Sequence, residues 1–298
     1  MAKKRVHDKK WSIFYVILLI ALLLYTVSLF VPVVWAIFTS FKDVKTDWWT
    51  KNYTGLPKKW HWQNYTYVFS KYLYPITVKG GETAYVGVVG MFGNSFVYAI
   101  GCAFCKSAIP MLMAFLCARF PCKLSKIIHT TVIVCMILPV VGSLPSEIKM
   151  AHNLGLYDSV YGLWFMKSNF LGMYFLVYYS VFKGFSPAYI EAAKLDGANN
   201  FSVFFRIVLP LVRNTFFTVM LIEFIIFWND YQIPLVYLPN HPTLAQGMYK
   251  MGTSNDQILT EAPMRLTGAM IMFVPLFIVF LAFHKKFMGN LTMGGVKG

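Results

Sequence analysis

Acidic residues are scarce in this chain. Asp and Glu number 12 among 298 residues, and all charged residues together reach 13%, about half the share of a soluble domain. Set against 57% apolar residues and a mean hydropathy of +0.56, so little charge excludes a disordered protein and argues against a water-soluble enzyme. Cysteine is also sparse. The five lie at 102, 105, 117, 122 and 135, which is no framework for a disulfide-stapled secreted module. Cys102 and Cys105 form a lone C-x-x-C inside an apolar run, without the second pair or the spaced histidines that a zinc site needs, so they read as packing residues. The six histidines (7, 61, 129, 152, 241 and 284) are scattered, and no metal site is expected. The phosphate-cradling G-x-x-x-x-G-K-[ST] loop is missing, as is any Ser/His/Asp or paired-carboxylate arrangement, so the chain is not expected to be an enzyme. Two Asn-Tyr-Thr triplets, at 52–54 and 64–66, match a glycosylation acceptor by chance.

What the chain has is length of apolar helix. A bilayer core takes about 20 apolar helical residues. Residues 11–41 carry no charge, too long a run for a signal-peptide core. Further runs cover 86–118, broken by Lys106; 127–146; 159–182, with Lys167 toward one end; 214–238, with Glu223 and Asp230; and 266–284. The expected fold is therefore an all-α integral membrane protein with six transmembrane helices, a single domain over 1–298, with outer loops 42–85 and 239–263. Gly87, Gly90, Gly93 and Gly101 permit close helix approach.

Lys and Arg number 27, giving a net charge of +15. They mostly flank the apolar runs and form no basic groove, so topology and anionic lipid headgroups explain them better than nucleic acid does. An even number of crossings puts both termini on one side. With that side inside, segments 1–10, 119–126, 183–213 and 285–298 hold fifteen of the 27, the other side eleven, seven of these in 42–85. The short outer loops are nearly bare, so both termini are expected to be cytoplasmic. Trp48, Trp49, Trp60 and Trp62 suit an outer interface belt.

The long cytoplasmic loop 183–213 differs from its surroundings. Ser186 is suited to cap a helix and Pro187 to open it. Ala188 to Leu195 are strong helix formers, and Gly197 can close that helix in the left-handed conformation. Asn199 or Asn200 can start a second short helix that Pro210 bends or ends. Phe201, Phe204, Phe205 and Val208 recur at helical spacing. The result is a helix–turn–helix element with a small-residue face (Ala188, Ala192, Ala193). It either docks on a partner or lies on the membrane as an ordinary amphipathic loop.

Ionisable groups inside a bilayer are costly and are candidates for function. Lys106 and Glu223 fall near the middle of their spans. They either face an internal path, paired or touching a solute, or snorkel or pack against a partner. Trp228, Asn229, Asp230 and Tyr231 combine an aromatic ring with hydrogen-bonding groups, as sugars require, although Trp228 also suits an interface anchor.

The sequence E-A-A-K-L-D-G at 191–197 followed by R-I-V-L-P at 206–210 resembles the E-A-A loop of ATP-binding-cassette importer permeases. Glu191, Ala192, Ala193, Gly197, Ile207, Leu209 and Pro210 supply every part of that signature, and Asp196 before the glycine is the form seen in sugar permeases. Trp228-Asn229-Asp230, Asn94-Ser95 and Ala118-Arg119-Phe120 extend the likeness, and the tail 291–298 is similar to that of the smaller maltose-transporter-type permease. Together these cover most of residues 20–298. The resemblance implies the smaller membrane subunit of a carbohydrate-uptake importer in a prokaryotic cell membrane. It implies a coupling helix at Glu191–Gly197 seated in a cytoplasmic ATPase subunit, with Glu191 fixing its orientation. It implies a tail reaching toward the ATPase pair, and an outer loop 239–263 probing an extracellular substrate-binding protein. The implied partners are a homologous second permease, two ATPase subunits, that binding protein, lipid and the sugar, with no nucleic acid. The chain itself binds no cofactor; ATP and Mg belong to the ATPase partners. A permease for another solute class is the competing expectation, and a self-sufficient secondary transporter a weaker one, since no inverted repeat is visible.

Overall fold

The computed structural model describes residues 13–78, 80–138, 142–186 and 188–291. The basic N-terminal segment, Pro187 and the tail beyond Leu291, on which sequence expectations fell, lie outside the described residues. Chain contacts divide the molecule into two units, residues 1–68 with 252–270 and residues 69–251 with 271–298.

In the first unit, helix α1 (Ile13–Ser40) is apolar throughout and exposed along nearly its whole length, as a lipid-facing span must be. Its 28 residues reach about 42 Å at 1.5 Å per residue. The following segment is held by polar contacts. Fully buried Lys42 donates to the carbonyls of Asn52 and Tyr53 at 2.8 and 3.0 Å. The Asn64 amide donates to the carbonyls of Ser40 and Lys42, both at 2.8 Å. Asn64 is thus a structural residue and not a glycan acceptor. A π-helical turn (Val44–Trp48), capped by the Asp43 carboxylate on Thr46 N–H at 2.8 Å, completes this region. The Trp49 indole donates to Glu261 at 2.9 Å. Trp49, Trp60 and Trp62 remain exposed.

Helix α2 (Gln63–Lys71) leads into strands β1 (Leu73–Thr77) and β2 (Thr83–Gly87) of the second unit, an antiparallel hairpin that pairs Leu73 with Gly87 and Thr77 with Thr83. The expected loop 42–85 is therefore largely ordered, and the all-α expectation gains one two-stranded sheet. Helix α3 (Val88–Arg119) is the axis of this unit. Helices α4 (Lys123–Ile137), α5 (Leu144–Asn153), α6 (Val160–Lys167) and α7 (Met173–Gly184) follow.

The expected runs 127–146 and 159–182 are not single helices. α4 ends at Ile137, and its 15 residues reach only about 22 Å. The second run breaks between α6 and α7, where the Ser168 hydroxyl turns back onto the Trp164 carbonyl at 2.7 Å and Gly172 is fully extended. Next come α8 (Ala188–Leu195), α9 (Asn200–Val203), a π-helical turn (Phe204–Val208) and α10 (Leu209–Asn229). The chain then forms α11 (Gln232–Tyr237), α12 (Leu244–Met251), α13 (Gln257–Thr260) and α14 (Ala262–Leu291), which cover the expected loop 239–263 and the last span. Four helical stretches are long and apolar enough to cross a bilayer: Ile13–Ser40, Val88–Arg119, Asn200–Asn229 and Ala262–Phe283. The protein is an integral membrane protein of predominantly helical fold.

Candidate functional site

The E-A-A segment has a defined local geometry. α8 ends on Gly197 at φ +79°, a left-handed conformation that a side chain resists. The Ala198 N–H reaches back to the Ala193 carbonyl at 2.9 Å, and the Gly197 N–H reaches the Lys194 carbonyl at 3.0 Å. This pair of bonds is a Schellman closure, which satisfies the last helical carbonyls. Two residues on, the Asn199 side chain accepts from Ser202 N–H at 2.8 Å and starts α9.

The chain then widens into the π turn, where the Leu209 N–H bonds the Phe204 carbonyl five residues back. The wide turn relieves Pro210, which has no N–H to donate and whose ring would meet the Arg206 carbonyl of an ordinary helix. Ile207 and Leu209 pack against a buried cluster of Phe115, Phe182, Val203, Phe204 and Val208. Ala193 belongs to that cluster and faces inward, whereas Glu191, Ala192, Lys194, Leu195 and Asp196 are exposed. The expected small-residue face is thus divided: Ala193 holds the element to the body and Ala192 is presented outward. Glu191 and Lys194 line a half-open cavity of about 200 Å³ with Phe115, Arg119, Phe120, Asn200 and Val203. Arg119 donates to the Phe185 carbonyl at 3.2 Å, and its buried Nε has no partner among the described residues.

Beside this surface, exposed Cys122 caps α4. The Ser125 N–H points at its sulfur at 3.4 Å, and the Ser125 hydroxyl accepts from Cys122 N–H at 3.0 Å. The backbone N–H groups of Ser125 and Leu124 hold this thiol below the ordinary range. Cys122 is expected to react with maleimide fastest of the five cysteines, and its rate to reach half its limit below the free-thiol pKa of about 8.5. Cys122→Ser should remove that fast phase.

Lys106 and Glu223 lie on α3 and α10, helices that pack together. Lys106 on α3 donates to the Asn169 carbonyl oxygen at 3.0 Å. Glu223 on α10 is buried. Lys167 is the last residue of α6. Asn169 was not among the expected site residues.

The remaining candidates have internal partners. Trp228 is buried among Phe92, Phe96 and Phe224 and donates to the Met272 carbonyl at 3.1 Å. Asp230 accepts the Tyr98 hydroxyl at 3.0 Å and caps α11 through Gln232 N–H at 2.9 Å and Ile233 N–H at 3.2 Å. Asn229 is exposed and its amide returns to the Ile225 carbonyl at 2.8 Å. The W-N-D residues are therefore joined to the α10–α11 break.

The segment after α11 is pinned. Asp158, itself at φ +54°, accepts Asn240 N–H at 3.0 Å and the Asn240 amide at 2.8 Å, and lies 3.2 Å from His241 Nδ1.

Residues 107–288 match the family model of the binding-protein-dependent transport system inner membrane component, and the chain belongs to this family. It is 26% identical over 239 residues to the melibiose/raffinose/stachyose import permease MelC of Bacillus subtilis, covering 77% of this chain and 85% of MelC. It is 27% identical over 250 residues to the arabinooligosaccharide permease AraQ of the same organism, covering 81% of each. It is 24% identical over 278 residues to the diacetylchitobiose uptake permease NgcG of Streptomyces coelicolor, covering 92% of this chain and 86% of NgcG. The fold is that of a chain in a bacterial ABC transporter for the acidic polysaccharide alginate, with a TM-score of 0.72 at 19% identity, covering 92% of this chain and 96% of that one.

Proposed function

We propose that this chain is the membrane-spanning subunit of an ATP-driven importer for oligosaccharides, forming half of the translocation path. The observation that carries this reading is the Schellman-closed E-A-A turn of α8, presented outward on a chain of the binding-protein-dependent family. The saccharide permeases among its relatives support the solute class.

Energy would come from two cytoplasmic ATPase subunits that bind ATP and Mg, since this chain has no phosphate loop. Their closure would carry α8 as a rigid body. Glu191 would orient it through polar contacts, Ala192 would allow close approach, Asp196 and Gly197 would form the turn, and Ile207, Leu209 and Pro210 would tie the motion to α10. A homologous second permease would complete the path, and an extracellular binding protein would deliver the sugar near 239–263. Lys106 and Glu223 would border the path itself. Trp228, Asn229 and Asp230 would set the α10–α11 geometry at its outer end.

The topology would be six crossings in a prokaryotic cell membrane with both termini cytoplasmic. The divided segments α4–α5 and α6–α7 would then cross as paired shorter helices. A membrane-impermeant maleimide should reach Cys122 in inverted vesicles and not in intact cells; labelling from outside would reverse this orientation. Proteoliposomes holding the two permeases and the ATPase pair should accumulate raffinose or an arabino-oligosaccharide when binding protein is outside and ATP inside. Accumulation by this chain alone would overturn the importer reading.

A further inference from the structure

Trp228 is enclosed by other rings, so its face meets no solute. Three residues on, the chain presents a different aromatic surface. The Tyr231 ring, at the start of α11, stacks on the Tyr249 ring of α12, with centroids 4.3 Å apart and planes 17° from parallel. Tyr249 is 52% exposed and Tyr231 is half-buried. The stack therefore keeps a flat aromatic face in the open. Its place along the molecule is set by α10, which rises about 30 Å from Leu209 to Asn229, the thickness of a bilayer core. The two tyrosines stand at the end of that helix remote from the E-A-A turn.

Both rings are carried on fixed backbone. Asp230, next to Tyr231, is bound by the Tyr98 hydroxyl and caps α11. α12 is anchored by its other face, where Leu244 and Met251 are buried. There the Ser95 hydroxyl accepts Leu244 N–H at 2.6 Å, the Gln246 amide donates to the Tyr74 hydroxyl at 2.8 Å, and the Tyr72 hydroxyl donates to the Gly247 carbonyl. A platform held in this way loses little freedom when a ligand arrives. Asn229 and Gln232, on either side of the Asp230–Tyr231 step, are exposed. Asn229 returns an N–H to the Ile225 carbonyl, and its amide oxygen accepts from no described residue. A sugar ring has an apolar C–H face and a rim of hydroxyls, and a rigid aromatic face flanked by amides matches both.

We infer that the Tyr231–Tyr249 stack is a sugar subsite, the open Tyr249 face receiving the C–H face of a saccharide ring as it leaves the binding protein, with Asn229 and Gln232 meeting its hydroxyls. This rests on the importer reading above and adds a place on this chain where the sugar is first held.

The experiment measures sugar imported per ATP hydrolysed, in proteoliposomes of the four-subunit assembly with binding protein outside and ATP inside. The probe is raffinose, or arabinotriose where raffinose is not carried. A sugar that is released but not held escapes outward, so Tyr249→Met, which keeps an apolar side chain and removes the ring, should lower this ratio roughly threefold to tenfold, the worth of one aromatic contact. Tyr249→Trp, which restores a ring, should hold the ratio within about twofold of the parent. A packing role, or a contact with the binding protein, would lower import and hydrolysis together and leave the ratio unchanged in Tyr249→Met. A membrane anchor would lower the amount of assembled complex, again at an unchanged ratio. Either result, or an equal fall in Tyr249→Met and Tyr249→Trp, would overturn the subsite and leave the importer reading standing. An assembly of the parent chain that hydrolyses ATP and imports neither sugar would overturn both.

Discussion

Reversing the charge at Glu191, as Glu191→Arg, is expected to abolish ATP-driven uptake while the chain still inserts and folds. Glu191 is exposed, and its replacement leaves no cavity and no orphaned partner in the core, so stability should change by less than about 0.5 kcal/mol. Its effect belongs to the docked state. A charged group at the centre of a protein interface typically costs 2–4 kcal/mol or more when lost, hence roughly 30-fold to 1,000-fold in affinity. Two measurements separate the cases: co-purification of the ATPase pair with the permease, and uptake per assembled complex. Loss of co-purification with normal membrane levels is the expected result. Full uptake after Glu191→Arg would show that this surface is no handle.

Gly197→Val acts on the same device from within. At φ +79° a β-branched side chain is strained, so the Schellman bonds from Gly197 and Ala198 would be lost and α8 would shift relative to α9. Membrane levels should hold here too, because Gly197 has no neighbour within 4 Å of a Cβ. Uptake should fall while ATP hydrolysis by the assembly continues, an uncoupling that Glu191→Arg would not produce. A rigid lever transmits displacement only if both ends are fixed, and Gly197 is where α8 is fixed to the body.

Much of this segment is legible in the sequence. Helix formers from Ala188, a glycine at 197 and an asparagine at 199 predict α8, its left-handed end and the start of α9, and each is where the structure has it. Local rules suffice because each cap involves residues three to five apart. The interruption between α6 and α7 was not legible: Phe170 and Leu171 keep the run apolar, and the break comes from Ser168 bonding back to Trp164 and from Gly172. The hairpin was available in principle, since Gly80-Gly81 separates two β-rich runs, but a scan for long apolar runs passes over five-residue strands. Trp228 and Asp230 look like sugar-binding groups in isolation. Their partners, the Met272 carbonyl and the Tyr98 hydroxyl, lie 44 and 132 residues away, and no local pattern signals them. The same distance hides Asn169 from Lys106, 63 residues apart.

Gly162→Ala is expected to destabilise the protein strongly. A Cβ there would stand 2.2 Å from the Leu156 carbonyl oxygen and within 2.9 Å of its carbon and Cα. These are backbone atoms, and the turn that carries them cannot retreat freely. Leu156 N–H bonds the Ala151 carbonyl at 2.8 Å, Asp158 N–H bonds the Tyr237 carbonyl at 2.9 Å, and the Asp158 carboxylate grips Asn240. Overpacking against fixed atoms costs about 1–3 kcal/mol, and here the upper end applies because either α6 shifts or the turn bonds break. At roughly 2–4 °C per kcal/mol this lowers Tm by about 10 °C. Thermal unfolding in detergent, followed by size-exclusion of the surviving monodisperse fraction, measures it. Gly172→Ala is the matched control: its φ of 164° is extended and nothing lies within 4 Å of the added carbon, so its Tm should stay within about 2 °C. Equal losses in the two variants would refute the close approach.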